Sequence, residues 1–169
     1  MMKIVVRLVF VSLLLSAMPL AAQSLDWSMA GSAGVLDDGT ALGAFVLTGP
    51  YLGIRTDSVA TAEARYPVTN TYGSVTTKTP AWSTFSMTYS DDSATAASVT
   101  AELMEVDKCS ATERQVCSIT SADGNGDPTC DVCQFVGGLD FANHAYYVHV
   151  TVAKTDIGVN PRLYALAIY

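Results

Sequence analysis

Four cysteines, two histidines and several acidic and aromatic side chains are the residues of this 169-residue chain that could do chemistry. The cysteines are Cys109, Cys117, Cys130 and Cys133, the last two in a C-x-x-C. A redox pair needs a thiolate stabilised by a helix N-terminus or by nearby cations. Here Asp127 and Asp131 are acidic, Pro128 precedes, and Gln134-Phe135-Val136 reads as strand. A zinc site from four thiolates is allowed by the spacing but needs reduced cysteines. The reading that fits an oxidising compartment is a pair of structural bridges. Of the three pairings, the spacing favours Cys109–Cys117 across the base of one hairpin, with Cys130–Cys133. The crossed pairing, which ties that hairpin to the following loop, is the rival. Closing so short a loop stabilises by about 2–3 kcal/mol.

The other candidate groups are weaker. Asp123-Gly124-Asn125-Gly126-Asp127 opens like a calcium loop, with oxygen ligands on Asp123, Asn125 and Asp127. Pro128 stands where the turn glycine belongs, and the twelfth position is Gln134 rather than Glu. A solvated acidic turn is the expected reading, so no metal is assigned. His144 precedes a strand, and His149 lies on its polar side with Tyr147 and Thr151. Neither falls in a G-x-S-x-G or H-E-x-x-H context, and the acidic pairs Asp37-Asp38 and Asp91-Asp92 sit in turns. No catalytic residue or cofactor is expected; a small secreted hydrolase is the catalytic alternative. Tyr147, His149 and Trp82 are the candidate ligand-binding residues, with Tyr51 and Tyr72 in or near loops. Exposed aromatic rings offer an apolar face to a sugar, and ordinary packing at the rim is the competing expectation.

The elements that must position these groups read as strands. Thr, Ser, Val, Ala and Tyr dominate, which suits a pleated, half-buried surface. Ala60, Ala62, Ala64, Tyr66 and Val68 alternate with Thr61, Glu63 and Arg65. Phe85, Met87 and Tyr89 do the same, as do Val99, Ala101 and Leu103 against Thr100 and Glu102, and Tyr146, Val148, Val150 and Val152 against Tyr147, His149 and Thr151. Each run predicts a strand with one face in the core. Leu163–Tyr169 is apolar on both faces and predicts a central strand covered on both sides. Pro67 predicts an edge or bend in its run. Turn clusters at intervals of roughly 8–15 residues point to a single antiparallel β-sandwich, jelly-roll-like, with about eight to ten strands. At most one helical turn, near residues 94–97, is expected.

The N-terminus places the chain in a compartment. Lys3 and Arg7 precede the apolar run Leu8–Leu15, Pro19 ends it, and Ala21, Ala22 and Gln23 follow. That is the layout of a secretory signal, too short to span a bilayer. Cleavage is expected after Ala22, giving a signal of residues 1–22 and a sandwich domain of residues 23–169. Ser24 is an alternative cut. Cleavage removes two of nine basic residues and leaves seven against sixteen acidic ones, so the net charge goes from −7 to −9. Such a chain repels phosphate backbones, and no nucleic-acid partner is expected.

Several segments taken in order also carry a resemblance. They are Gly31-Ser32-Ala33-Gly34-Val35 before an acidic pair, and Ala64-Arg65-Tyr66-Pro67-Val68-Thr69-Asn70-Thr71. The Cys109…Cys117 hairpin after an A-x-L-x-x-V strand and the C-x-x-C come next, followed by Asn143–Val150 and Arg162–Tyr169. With these the chain resembles a group of small secreted bacterial proteins with a jelly-roll-like sandwich and no assigned activity. The resemblance implies secretion and the sandwich and transfers no functional residue. The expectation is a non-catalytic secreted or cell-envelope (periplasmic) protein with a structural, assembly or surface-interaction role. Its partner would be a second copy, a cell-surface polysaccharide or a protein. The alternative is a carbohydrate- or ligand-binding module.

Overall fold

The computed structural model describes residues 26–37, 40, 43–70, 80–93, 95–122 and 126–169. Eleven strands and one short 3-10 turn, Gly31–Ala33, account for the regular structure among them. One sheet holds β3 (Phe45–Thr48), β4 (Tyr51–Ile54), β11 (Arg162–Ile168), β6 (Thr84–Ser90) and β9 (Thr129–Gln134), in that order. β1 (Trp27–Ala30) joins it by pairing with β11. The second sheet runs β2 (Val35–Leu36), β5 (Ala60–Val68), β10 (His144–Lys154), β7 (Ala97–Asp107), β8 (Glu113–Thr120). Every pairing is antiparallel. The expected antiparallel sandwich is present, and no described helix is long and apolar enough to cross a membrane.

The core follows from the period-2 alternation. Ala62, Ala64, Tyr66 and Val68 of β5, Val99, Ala101 and Leu103 of β7, and Tyr146, Val148, Val150 and Val152 of β10 are all buried. They meet Leu52, Phe85, Met87, Tyr89, Leu163, Leu166 and Ile168 from the other sheet. Small alanines opposite large rings let the two sheets interdigitate at interior density. The Tyr66 hydroxyl, deep in this core, donates to the Gly31 carbonyl. A Cβ on Gly31 would fall 2.1 Å from the Leu163 carbonyl oxygen, so glycine alone fits where the 3-10 turn rests on β11.

Four short strands, β1 to β4, raise the number above the expected eight to ten. With two to four residues each, they are too brief to show an alternation. β11 is central as expected: β4 and then β1 flank one side, and β6 flanks the other. Its outer face is half-covered rather than sealed, since Tyr164, Ala165 and Ala167 are only partly buried. Pro67 stands near the end of β5, beyond the two residues that pair with β2, and there β5 pairs with β10. Residues 95 and 96 form a turn closed by the Ala97 amide on the Ser93 carbonyl.

The bridge departs from the expected pairing. Cys117 is joined to Cys133, and Cys109 and Cys130 are free and exposed. The correction has a geometric cause. Successive side chains of a strand point to opposite faces. Cys133 lies opposite Phe85 on the core face of β9, whereas Cys130, three residues earlier, lies opposite Thr88 on the outer face. A C-x-x-C inside a strand therefore cannot close on itself. Cys117, opposite Leu103, also points inward and meets Cys133 across the sandwich. Cys109 stays in the exposed β7–β8 loop, beyond Cys117's reach.

Candidate functional site

The outer face of the second sheet brings the candidate residues into register. β5, β10 and β7 lie side by side, so residues at one level form a row. One row is Pro67–Tyr147–Met104. The next is Arg65–His149–Glu102, and the third is Glu63–Thr151–Thr100. An apolar row and a charged row thus run across three strands at adjacent levels. Tyr147 and His149 share this face because both carry odd numbers in a strand whose even positions fill the core.

Tyr147 is half-buried, and the Arg65 guanidinium lies 5.4 Å from its ring centroid. Burial and the neighbouring Glu113 carboxylate push its phenol above the ordinary tyrosine range. His149 is ringed by carboxylates. Its Nδ1 lies 3.4 Å from Glu102 Oε2, and its Nε2 lies 3.7 Å from Glu63 Oε2 and 4.0 Å from Asp37 Oδ2. Asp37 comes from the end of β2. Its amide donates to the Glu63 carbonyl, and its carboxylate accepts from Arg65 Nε at 2.7 Å. Thr40 pins the same corner, its hydroxyl donating to the Glu63 carbonyl and accepting from the Glu63 amide. The position of Asp37 is therefore fixed by backbone bonds as well as by an ion pair.

Trp82 does not belong to this face. It is 1% exposed and packs edge-on against Phe141 at 6.0 Å between ring centroids. The expectation of an exposed loop aromatic is corrected: the segment before β6 is irregular in backbone yet covered, so its ring serves the core. Tyr51 lies on β4, with the Arg162 guanidinium 4.8 Å from its ring centroid and Tyr164 edge-on at 5.9 Å. Tyr51 and Arg162, with Arg55 and Asn160, bound a depression of about 240 Å³. Tyr72, Asp123 and Asn125 lie outside the described residues, and Asp127 is exposed.

His144 gathers a second group of carboxylates at the start of β10. Its ring nitrogens lie 3.8 Å from Glu105, 3.9 Å from Asp107 and 3.9 Å from Asp140. These acids have other partners. Glu105 accepts from Arg114 and from the Tyr146 hydroxyl, Asp107 from the amides of Cys109 and Ser110, and Asp140 from Asn143 and the Ala142 amide. This group braces the β7–β8 loop and the turn before β10.

Alternation puts Glu63, Arg65 and Glu102 on outer faces without joining them to His149, and Asp37 reads as part of a turn. The alternation was readable, but the order of strands that brings those faces together was not.

No protein-family model matches the chain, and no curated protein matches it in sequence. Among solved structures, the chain is similar to a carbohydrate-binding module from a study of promiscuous specificity in the β-sandwich superfamily. That match has 12% identity and a TM-score of 0.47, covering 87% of this chain and 58% of that one. A second is TmCBM61 in complex with β-1,4-galactotriose, with 10% identity, coverage of 86% and 88%, and a TM-score of 0.45. A third is the cleaved adhesin domain of Lys-gingipain from Porphyromonas gingivalis, with 12% identity, coverage of 86% and 98%, and a TM-score of 0.46.

Proposed function

We propose that this protein is a non-catalytic, secreted or envelope-held binding module whose ligand is a carbohydrate, taken on the outer face of the β5–β10–β7 sheet. The observation that carries the reading is the pair of adjacent rows, Pro67–Tyr147–Met104 and Arg65–His149–Glu102. A sugar has the same division: an apolar face of C–H groups and a rim of hydroxyls. The first row offers an aromatic and aliphatic platform. The second offers a guanidinium, an imidazole and a carboxylate, which between them donate to and accept from hydroxyls. A strand platform holds these groups without the ordering that a loop site requires. Export fits the leader, with residues 23–169 as the mature domain, and the Cys117–Cys133 bridge suits an oxidising compartment.

The test is a polysaccharide and cell-wall glycan array probed with oxidised protein spanning residues 23–169, with and without Ca²⁺. Saturable binding to one glycan class is expected. Tyr147→Ala should weaken it about tenfold or more, the loss of roughly 1.4 kcal/mol. Tyr51→Ala should leave it unchanged. Binding lost in Tyr51→Ala and kept in Tyr147→Ala would move the site to the Tyr51 depression. A blank array together with a defined oligomer would replace this reading with assembly. For that second reading the relevant surface is edge strand β9 and its continuation, where Val132 and Val136 stand exposed.

A further inference from the structure

We propose that Asp37, Glu63 and His149 form a binding site for a first-row divalent transition-metal ion, with Zn²⁺ the representative probe. Their ligand atoms, one from each side chain, lie within 4.8 Å of one another. Donor atoms on a tetrahedral ion with bonds of about 2.0–2.2 Å lie roughly 3.4 Å apart. The separations of 3.7 and 4.0 Å from His149 Nε2 are slightly longer than that spacing. Glu63 and His149 come from the paired strands β5 and β10, Asp37 directly follows β2, and Asp37 and Glu63 are bonded to each other through the backbone.

Glu102 supplies the feature that separates a ligand set from a chance cluster. A carboxylate only accepts, so the 3.4 Å contact of Glu102 with His149 Nδ1 suits the tautomer that carries its proton there. In that tautomer the lone pair is on Nε2, the atom that faces Asp37 and Glu63. A carboxylate behind a histidine whose other nitrogen faces the ligand position is the usual outer support of a metal-bound imidazole. The imidazole also sets the class of ion. Ca²⁺ and Mg²⁺ prefer all-oxygen sites, whereas nitrogen with two carboxylates suits Zn²⁺, Fe²⁺ or Co²⁺. Arg65 is the competing cation, since its Nε holds Asp37 Oδ2. That same oxygen is the one 4.0 Å from His149 Nε2, so an ion at the site competes with Arg65 for it or takes the carboxylate's second oxygen. With three carboxylates against one guanidinium, the corner retains negative charge for a divalent ion. The inference does not rest on the carbohydrate reading.

The test uses chelator-treated protein of residues 23–169 carrying Cys109→Ser and Cys130→Ser, so that free thiols contribute nothing. Calorimetric titration with ZnCl2 should give one saturable site, and Co²⁺ should give a visible d–d absorption. His149→Ala should weaken Zn²⁺ binding at least about tenfold, with Asp37→Asn and Glu63→Gln each weakening it as well. Glu102→Ala should cost about tenfold while leaving the ligands in place. CaCl2 should bind far more weakly. Tyr147→Ala should leave the Zn²⁺ isotherm unchanged, which separates this site from the sugar platform. Thermal melts confirm that each variant is folded. No Zn²⁺ binding, binding indifferent to His149→Ala, or equal binding of Ca²⁺ would overturn the proposal.

Discussion

Acid acts on individual carboxylates first, and three of those held below their ordinary range surround His144. The amides of Ser110 and Cys109 hold Asp107 below the ordinary value of 3.8, and Asn143 with the Ala142 amide does the same for Asp140. Burial works to raise Glu105, but hydrogen bonds from Arg114 and Tyr146 outweigh it and leave the group below 4.5. A carboxylate whose folded pKa is depressed stabilises the fold above its unfolded pKa. That contribution is lost as pH falls through the folded pKa. Melting temperature should therefore hold between neutral pH and about 5, then drop as pH falls through 4 and below. Asp107→Asn, which keeps an acceptor for the two amides, should make the acid drop shallower. A wild-type melting temperature that rises on acidification would contradict this assignment. At this scale the sequence was informative about direction and poor about company. Tyr147 and His149 could be placed on a polar face from alternation alone. Trp82 could not be placed, because its burial depends on Phe141, a residue brought to it by folding.

Strands β8 and β9 belong to different sheets, and Cys117–Cys133 joins them with a separation of 16 residues. Closing a loop of that length removes unfolded-chain entropy worth about 3 kcal/mol. For a domain of this size that is roughly 6–12 °C in melting temperature. Reduction, or the double variant Cys117→Ser/Cys133→Ser, should show a drop of that order. Cys109→Ser and Cys130→Ser should leave the melt where it was, and peptide mapping without reductant should find Cys117 linked to Cys133. A linked Cys109 would restore the hairpin pairing. The long strands β5, β7 and β10 were legible because nine to eleven residues give several periods of alternation. The same rule held the key to the bridge, since three residues along a strand reverse the face. Spacing in sequence favoured the wrong partners because it treats a strand and a loop alike.

For the whole molecule, class and core were readable: apolar alternation, turn spacing and absent helical periodicity lead to two packed antiparallel sheets. Strand order was not, since which outer faces become neighbours is decided by pairings between residues as distant as Arg65 and His149. The Cys117–Cys133 bridge also divides the sandwich into unequal halves. It binds the sheets together along the β8–β9 margin, and the opposite margin, where β2 and β3 lie, carries no disulfide among the described residues. The oxidised protein should breathe like a book with one bound spine, its free covers being β2 and β3. Amide exchange followed by mass spectrometry should find β2 and β3 opening before β8 and β9, with reduction evening out the order. Asp37 is attached to one of those free covers, while Glu63 and His149 sit further toward the spine. An occupant that grips all three residues would fasten the cover shut, so ligand capture on the outer face is also a means of stiffening the half of the molecule that the covalent bridge leaves loose.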